Sequence, residues 1–236
     1  MAALTAVAKE HGLRVIEDNA QSLGAVCRMS DGASRYAGTI GEIGCTSFFP
    51  SKVLGCYGDG GAVFTDNDEW AALADSYRVH GKGMFKYDNV RIGMNSRLDT
   101  LQAAILKIKF KAFREYELRD INKAAALYTR LLAGRVKTPV TPEGYYSSWA
   151  QYTICLNSRE ERDALQACLK EQGIPSMVYY PTPMHGQTAY KALNAPTDCC
   201  PTAKRLCDTV LSLPVHPYIT EEEIETVCSV ILGFVR

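Results

Sequence analysis

Residues 47–61 carry the pattern from which the fold follows: Ser47-Phe48-Phe49-Pro50-Ser51-Lys52-Val53-Leu54-Gly55, and then Gly58-Asp59-Gly60-Gly61. Residues 45–49 predict a short buried strand, which Pro50 ends because proline has no N–H to donate. Lys52 therefore lies on a loop just after a strand. In open α/β sheets ligands bind at the carboxyl ends of the strands, so this lysine can reach a small molecule. Lysine by itself is a weak signal, since most lysines are solvated surface charges.

A second strand end lies upstream. Residues 13–16 are a short apolar strand after a helix, and they lead into Glu17-Asp18-Asn19-Ala20-Gln21 at the same edge of the sheet. An aspartate and a lysine in one crevice are what pyridoxal phosphate requires. The amine forms a Schiff base with the cofactor, and the carboxylate keeps the pyridine nitrogen protonated.

Four motifs follow one another along the chain: Val15-Ile16-Glu17-Asp18-Asn19-Ala20-Gln21-Ser22-Leu23-Gly24-Ala25, Ser47-Phe48-Phe49-Pro50-Ser51-Lys52, Gly58-Asp59-Gly60-Gly61-Ala62 and Asn95-Ser96-Arg97-Leu98-Asp99. Together they resemble the DegT/DnrJ/StrS family of pyridoxal-phosphate-dependent sugar-nucleotide aminotransferases of fold type I. Within that family, residues 54–61 are most similar to the UDP-2-acetamido-2-deoxy-3-keto-hexuronate aminotransferases. The finer match rests on fewer residues than the family match.

The resemblance implies an α/β fold, namely the C-terminal portion of a fold-type-I aminotransferase. Residues 1–133 are expected to form part of the large cofactor-binding domain with its linking helices, and residues 134–236 a small α+β domain. In the resembled family well over a hundred residues lie upstream, including the helix N-terminus for the cofactor phosphate. The chain is therefore expected to be a fragment, a truncated gene product or one half of a split enzyme.

The resemblance also assigns the site residues. Lys52 is the catalytic lysine and Asp18 the partner of the ring nitrogen, while Gln21 holds the 3-hydroxyl side of the ring. Ser47 contacts the phosphate. Asn95 contacts the phosphate of the cofactor bound in a neighbouring subunit, and Arg97 faces the substrate in that subunit. A homodimer with shared active sites is therefore expected. Capping and surface charge are the alternative explanation for Asn95 and Arg97.

A substrate loop is expected at Tyr179-Tyr180-Pro181-Thr182-Pro183-Met184-His185, where the family places a His-Tyr-Pro or Tyr-Tyr-Pro run against the sugar. Because Tyr179 occupies the first position, a histidine role in the nearest relatives cannot be transferred. A phenol can still donate to a carboxylate. The alternative is a rigid packed turn, which two tyrosines and two prolines also favour.

Composition narrows the class of protein. The 236 residues carry no net charge, which gives no support for nucleic-acid binding. No apolar run approaches the ~20 residues of a membrane span and no signal peptide is evident, so a cytoplasmic protein is expected. The nine cysteines lack the paired C-x-x-C spacing of zinc sites. We therefore expect no metal site, and reduced core thiols throughout, including Cys199 and Cys200.

Periodicity and capping residues predict the individual elements. Helices are expected over 1–11, 68–79, 100–113, 116–132 and 159–172, and strands over 13–17, 45–49, 61–65, 151–156 and 175–180. Residues 28–41 predict a hairpin or surface loop and residues 80–95 a long loop. Ser158 and Glu161 have the spacing of a capping box.

The function expected from these parts is transfer of an amino group to a keto sugar linked to a nucleotide, such as UDP. By family inference the amino donor is glutamate, and the reaction belongs to cell-surface polysaccharide or amino-sugar biosynthesis. Lys52 is expected to move a proton as general base and acid. The competing hypothesis is a non-catalytic fragment or scaffold, or one half of a split enzyme that needs an N-terminal partner.

Overall fold

The structure, a computed structural model, describes residues 1–196 and 198–235. The chain divides into two compact units. The first contains Met1–Leu118 and Thr141–Ala150, and the second contains Arg119–Val140 and the chain from Gln151 onward. The predicted division after residue 133 differs from this one, because residues 145–146 return to pair with a strand of the first unit.

The first unit contains two small sheets and three helices. Its elements are α1 (Ala2–Glu10), β1 (Ile16–Asp18), β2 (Val26–Arg28), β3 (Ser34–Tyr36), β4 (Ile43–Ser47), β5 (Gly61–Phe64), α2 (Asp68–Arg78), α3 (Thr100–Ala112) and β6 (Tyr145–Tyr146). One sheet has the order β1-β4-β5, with β1 parallel and β5 antiparallel to β4. The other has the order β3-β2-β6 and is antiparallel.

The local signals of the first unit are confirmed, with shifted bounds. The helix α1 is followed by Gly12 at φ +64°, a conformation that glycine adopts without strain. The side chain of Asn67 accepts a hydrogen bond from the Trp70 N–H (2.9 Å) and caps α2. The predicted hairpin forms between β2 and β3. β4 begins and ends two residues earlier than predicted, so its ladder stops before Phe48.

The first unit buries few apolar side chains. Among its described residues, the buried ones are Ala8, Cys27, Leu54, Cys56, Leu106 and Phe113. β1 pairs on one side only and is an edge of its sheet. The exposed apolar residues on or beside α1 and β1 are Leu4, Val7, Leu13 and Ile16, each more than half exposed. A parallel strand is normally buried on both faces, so this edge is atypical of a finished domain.

The second unit consists of a long helix followed by three α-helices, two strands and the short 3-10 helices Met184–Gly186 and Thr188–Leu193, within the residues that the structure describes. Its elements are α4 (Leu118–Leu132, with Leu118 in the first unit), β7 (Tyr152–Cys155), α5 (Arg159–Glu171), α6 (Pro201–Thr209), β8 (Val210–Leu213) and α7 (Glu221–Phe234). A π-helical turn at Phe113–Glu117 joins α3 to α4, so the predicted break between two helices is a local widening of one. No helix in the described ranges is long and apolar enough to span a membrane.

The predicted strand over residues 175–180 is wrong. That segment makes a single bridge, between Met177 and Ser212, and the partner of β7 is β8. Proline at 175 and at 181 removes an N–H donor at each end of the segment, whereas all four residues of β8 are buried. The buried ladder between β7 and β8 therefore forms the sheet of this unit.

The core of the second unit includes two buried tyrosines. Tyr128 and Tyr152 stack with ring centroids 5.0 Å apart and have no exposed area. The Tyr128 hydroxyl donates to the Pro214 carbonyl (2.9 Å), and the Tyr152 hydroxyl lies 2.7 Å from Thr129 Oγ1. Burial raises the pKa of Tyr152 to about 12, and burial likewise places the pKa of Tyr128 well above its usual value.

We expect the free energy of unfolding to fall as the pH rises above 10. The two phenols hold their protons longer in the folded state than in the unfolded chain, so their contribution is complete below pH 10 and is lost as the pH approaches 12. Between pH 10 and 11, the free energy of unfolding of Tyr152→Phe, measured in urea, should fall by about 1 kcal/mol less than that of the parent protein. An equal fall in both proteins would contradict the assignment. Tyr190→Phe, at a partly exposed ring of the same unit, is the control.

Candidate functional site

The site begins with the pairing of β1 and β4. The two strands are parallel, with Ile16 opposite Ile43 and Asp18 opposite Cys45. Asp18 is the last residue of β1 and Ser47 the last residue of β4. Their carboxyl ends therefore lie at one edge of the sheet, which is the edge where small molecules bind in open α/β sheets.

Lys52 follows the end of β4 on a tight turn. The Lys52 N–H donates to the Phe49 carbonyl (2.9 Å), with Pro50 at the second position of the turn, where its fixed φ suits a type I or II turn. Lys52 is half-buried. Within the described residues its Nζ has no hydrogen bond or ion pair, so the amine is available to a ligand.

Two backbone hydrogen bonds of Phe48 close the loop that carries Lys52. The Phe48 N–H donates to the Gly60 carbonyl and the Phe48 carbonyl accepts from the Cys56 N–H, both at 2.8 Å. A Cβ on Gly60 would lie 2.9 Å from Leu98 Cδ1 and 3.0 Å from Cys56 Sγ. A larger residue at position 60 would therefore have to displace the end of the Leu98 side chain.

Side chains of helix α3 form hydrogen bonds with the backbone of the same loop. Gln102 Oε1 accepts a hydrogen bond from the Tyr57 N–H (2.7 Å), and the Lys109 ammonium donates to the Gly55 carbonyl. Leu54 and Cys56 pack with Leu106 and Phe113 of the adjoining helical segment in one buried cluster. Sequence reasoning missed Gln102 and Lys109. The signal that could have identified them is helical spacing, since positions 102, 106, 109 and 113 lie on one face of a helix.

Glu17 and Asp18 are adjacent carboxylates with different surroundings. The Glu17 carboxylate accepts from the N–H groups of Gly38 (3.0 Å), Ile40 (2.6 Å) and Gly41 (2.7 Å). The Asp18 side chain is exposed and accepts from the Ala20 N–H (3.0 Å) in an Asx turn. Glu17 therefore holds the 38–41 loop, while Asp18 remains accessible to a ligand.

Asn19 is buried beneath the turn that follows. Its N–H donates to the Cys45 carbonyl (2.7 Å), and its Oδ1 accepts from the Ser22 hydroxyl (2.5 Å). In the described part of the chain its Nδ2 is buried without a partner. Gln21 lies on the same turn with an exposed side chain, and its carbonyl accepts from Ser148 Oγ (3.3 Å).

Asn95 and Arg97 bind each other. Asn95 Oδ1 accepts from Arg97 Nε (3.1 Å) and Nη2 (2.8 Å), and both residues are exposed. The Ser96 N–H donates to the Arg78 carbonyl at the end of α2 (2.9 Å). Across residues 1–196 and 198–235, the hydrogen bonds of these two side chains do not join them to Lys52 or Ser47.

The loop over residues 80–95 leads to this pair. It is fastened to the end of α2 by the His80 N–H, which donates to the Met94 carbonyl (2.8 Å), and by the Met94 N–H, which donates to the Tyr77 carbonyl (2.7 Å). Its large apolar side chains are exposed, and Met84 and Ile92 are each more than nine-tenths exposed. The predicted long loop is confirmed and is ordered by backbone hydrogen bonds.

Tyr179 and Tyr180 belong to the second unit. Their ring centroids are 5.5 Å apart in an edge-to-face arrangement. The residues are 43% and 61% exposed, so each ring has the other as a neighbour while retaining a solvent-facing surface. This exposure leaves both phenols able to meet a ligand.

A groove of about 760 Å³ lies elsewhere in the first unit, lined among others by Arg14, Glu42 and Trp70. The Val15 N–H donates to the Glu42 carboxylate (2.7 Å), and this bond together with nearby Arg14 lowers the pKa of Glu42. None of the predicted site residues lines this groove. The groove is therefore separate from the Lys52 loop.

Comparisons with known proteins give a consistent picture. The model of the DegT/DnrJ/EryC1/StrS aminotransferase family matches residues 1–232. The chain is 43% identical over its whole length to the pleiotropic regulatory protein of Geobacillus stearothermophilus, of which it covers 62%. It is 41% identical over 96% of its length to the UDP-2-acetamido-2-deoxy-3-oxo-D-glucuronate aminotransferase of Pseudomonas aeruginosa, of which it covers 60%.

A solved structure extends the comparison to three dimensions. The crystal structure of a DegT DnrJ EryC1 StrS aminotransferase from Brucella abortus matches 98% of this chain with a TM-score of 0.90 and 45% identity. The chain covers 60% of that protein. It thus spans about 60% of the length of the relatives that it matches.

Proposed function

The chain belongs to the DegT/DnrJ/EryC1/StrS aminotransferase family, and from this premise we propose that it carries the lysine-bearing part of a pyridoxal-phosphate-dependent sugar-nucleotide aminotransferase. The observation that carries the proposal is the placement of Asp18 and Lys52 after the ends of the neighbouring parallel strands β1 and β4. A carboxylate and an available amine at one sheet edge are the two groups that this cofactor needs most.

The residues present fit the cofactor chemically. Lys52 offers an amine that has no partner among residues 1–196 and 198–235, Asp18 offers an exposed carboxylate, and Ser47 offers a hydroxyl at the end of β4. Gln21 offers an exposed amide beside them. When bound, pyridoxal phosphate supplies an electron sink for the carbanion formed at the carbon that carries the amino group. We assign Ser47, and Asn95 of a second copy of the chain, to the phosphate and Gln21 to the 3-hydroxyl side of the ring.

The chain's own groups perform the proton transfers. Lys52 Nζ would hold the cofactor, and the amine of Lys52 would carry a proton to and from the reacting carbon as general base and acid. The closed loop around Phe48 and Cys56 holds that amine at the sheet edge, and such positioning supplies much of an enzyme's acceleration. Asp18 keeps the ring nitrogen charged, because a carboxylate stabilises a neighbouring cation.

The substrate that we propose is a keto sugar linked to UDP, with glutamate as the amino donor. The relative from Pseudomonas aeruginosa, named for a UDP-linked 3-oxo-glucuronate, supports the nucleotide and the sugar class. Arg97, Tyr179 and Tyr180 are proposed to face the substrate, since each has an exposed polar end. We place the reaction in amino-sugar or polysaccharide biosynthesis in the cytoplasm, in a homodimer that shares its active sites.

A second candidate is a non-catalytic fragment, or one half of a split enzyme. The observation in its favour is the small buried core and open β1 edge of the first unit. This candidate shares the fold but requires a partner for activity.

The experiment that tests the proposal is a transamination assay with UDP-linked 3-keto sugar, glutamate and pyridoxal phosphate. The chain is assayed alone and together with the upstream part of a family relative, and the amino sugar is detected by mass spectrometry. Product in the combined sample supports the aminotransferase. Cofactor binding without product for any nucleotide-linked keto sugar would favour the non-catalytic alternative.

Asp18→Asn tests the role of the carboxylate. The Asn side chain can still accept from the Ala20 N–H and keep the turn, but it lacks the charge that pairs with the ring nitrogen. We expect transamination in the combined sample to fall about ten- to a hundred-fold, as when a charged hydrogen bond is lost. Asp66→Asn, at an exposed carboxylate after β5, is the matched control. Activity unchanged by Asp18→Asn would refute the role.

A further inference from the structure

Three side chains of the second unit converge where the predicted substrate loop ends, beyond the two tyrosines proposed to face the substrate. His185 lies on the short 3-10 helix Met184–Gly186, and Cys199 and Cys200 lie just before α6, with Cys200 as its N-cap. One ligand atom from each residue lies within 4.8 Å of the other two. We call these residues the His185–Cys199–Cys200 cluster. Fourteen or more positions separate the histidine from the cysteines, so spacing along the chain does not reveal it.

The cluster differs from the other thiols of the chain. Cys199 and Cys200 are exposed, whereas the remaining cysteines are buried or half-buried. The expectation of core thiols is therefore wrong for this pair. Proline follows directly at position 201 and begins α6, so the two cysteines precede the first turn of that helix. Their side chains therefore do not pack as part of the helix. They are free to bind a ligand from solvent.

The distance between the two sulfurs fits one tetrahedral metal ion. Cys199 Sγ and Cys200 Sγ are 3.8 Å apart. Two thiolates bound to one tetrahedral Zn²⁺, each at about 2.3 Å, lie ~3.8 Å from each other. His185 is half-buried and supplies an imidazole on the same side of the cluster. A nitrogen and a sulfur on one tetrahedral Zn²⁺ lie ~3.5 Å apart, so an imidazole nitrogen within 4.8 Å of the sulfurs has to approach them by about 1.3 Å at most.

We propose that the His185–Cys199–Cys200 cluster binds a thiolate-preferring metal ion, Zn²⁺ in the first place, through one imidazole nitrogen and two thiolates. Thiolate and imidazole ligands select zinc over the hard cations Mg²⁺ and Ca²⁺. On binding, the two S–H bonds are replaced by Zn–S bonds and the two protons pass to solvent. Water fills the fourth position.

The site would join two parts of the second unit. The metal would tie the 3-10 helix Met184–Gly186 to the N-terminal end of α6, and so fix the two ends of the intervening segment. Tyr180 lies five positions before His185 in the sequence. Binding therefore restrains the chain directly after the two exposed tyrosines, without depending on the aminotransferase proposal.

Metal titration of the reduced 236-residue chain tests the proposal. The protein is stripped of metal with a chelator and titrated with Co²⁺, whose thiolate charge-transfer absorbance reports sulfur ligands. Zn²⁺ is then added to displace the cobalt, and its affinity is measured against a chromophoric chelator. We expect one ion per chain, with Zn²⁺ displacing Co²⁺ completely.

Variants separate this site from the other thiols. Cys199→Ser and Cys200→Ser should each weaken Zn²⁺ binding by about 100-fold or more, because each removes one of three ligands. His185→Gln should weaken it about ten-fold or more and keep the thiolate absorbance. Cys207→Ser, at a half-buried cysteine on α6, is the matched control and should change nothing. Circular dichroism verifies that each variant is folded.

Two outcomes would overturn the proposal. One is a fully reduced chain that takes up no Zn²⁺ at micromolar concentration. The other is a Cys199→Ser/Cys200→Ser double variant that binds Zn²⁺ as tightly as the parent, which would assign the metal to other residues.

Discussion

Lys52→Ala should abolish the covalent attachment of pyridoxal phosphate and lower transamination by about 10²–10⁴-fold, the range for loss of a general acid–base group. The structure gives the physical reason. Lys52 follows the end of β4 with an unpartnered amine, on a loop that Phe48, Gln102 and Lys109 hold in place. No other side chain can supply the amine from that turn. The alanine variant should keep its fold, since Lys52 Nζ makes no hydrogen bond or ion pair with the described residues.

Borohydride trapping measures the attachment directly. Pyridoxal phosphate is added below the protein concentration, the bond is reduced, and the labelled peptide is identified by mass spectrometry. The label should concentrate on the peptide that contains Lys52. Lys82→Ala and Lys86→Ala serve as controls, because both lysines are exposed on the 80–95 loop. A label that follows Lys82 or Lys86 would disprove the assignment.

The 236-residue chain by itself should self-associate, bind the cofactor weakly and show negligible activity, and the upstream part of a family relative should reverse all three. The edge of β1 and the exposed Leu4, Val7, Leu13 and Ile16 form an apolar surface that water disfavours. A further parallel strand with covering helices would bury it. A helix N-terminus from the added part would also bind the phosphate, and two charged hydrogen bonds of this kind raise affinity by about 100-fold or more.

Light scattering and cofactor titration follow these changes. The chain is measured alone, with the upstream part as a second chain, and with the two parts fused. Ile16→Lys places a charge at the open edge and should reduce self-association of the chain alone while blocking assembly with the second chain. A monodisperse chain that binds the cofactor tightly and aminates a keto sugar unaided would contradict this prediction.

Sequence reasoning worked where the signal was local. Gly12 after α1 and the Asn67 cap of α2 act within a few residues, and the structure has a helix boundary at each of them, whereas β4 ends three residues before Pro50. The ends of β1 and β4 were expected at the same edge of one sheet, and the structure adds that the two strands are parallel neighbours. For the site, the strand-end argument placed Asp18 and Lys52 at one edge of the sheet, whereas Ser47 came from the family resemblance; the roles of all three stay predictions.

Sequence reasoning failed where distant residues decide the structure. The prolines at 175 and 181 were a local warning against a strand over residues 175–180, but the choice of Val210–Leu213 as partner of β7 depends on burial of all four of its residues, which no local signal gives. The antiparallel direction of β5 and the return of β6 to β2 are likewise set by pairing between remote segments. The convergence of His185 with Cys199 and Cys200 arises in the same way.

The carboxylate of Glu17 fixes more than the 38–41 loop. Side chains of consecutive strand residues point to opposite faces, so a slip of one position along β1 would exchange Glu17 and Asp18. The three N–H groups that Glu17 accepts oppose such a slip, because aspartate in that place is one methylene too short to reach all of them. The order of Glu17 and Asp18 thus fixes the register of β1. The double exchange Glu17→Asp with Asp18→Glu, which preserves charge and composition, should disturb the site more than its conservative chemistry suggests.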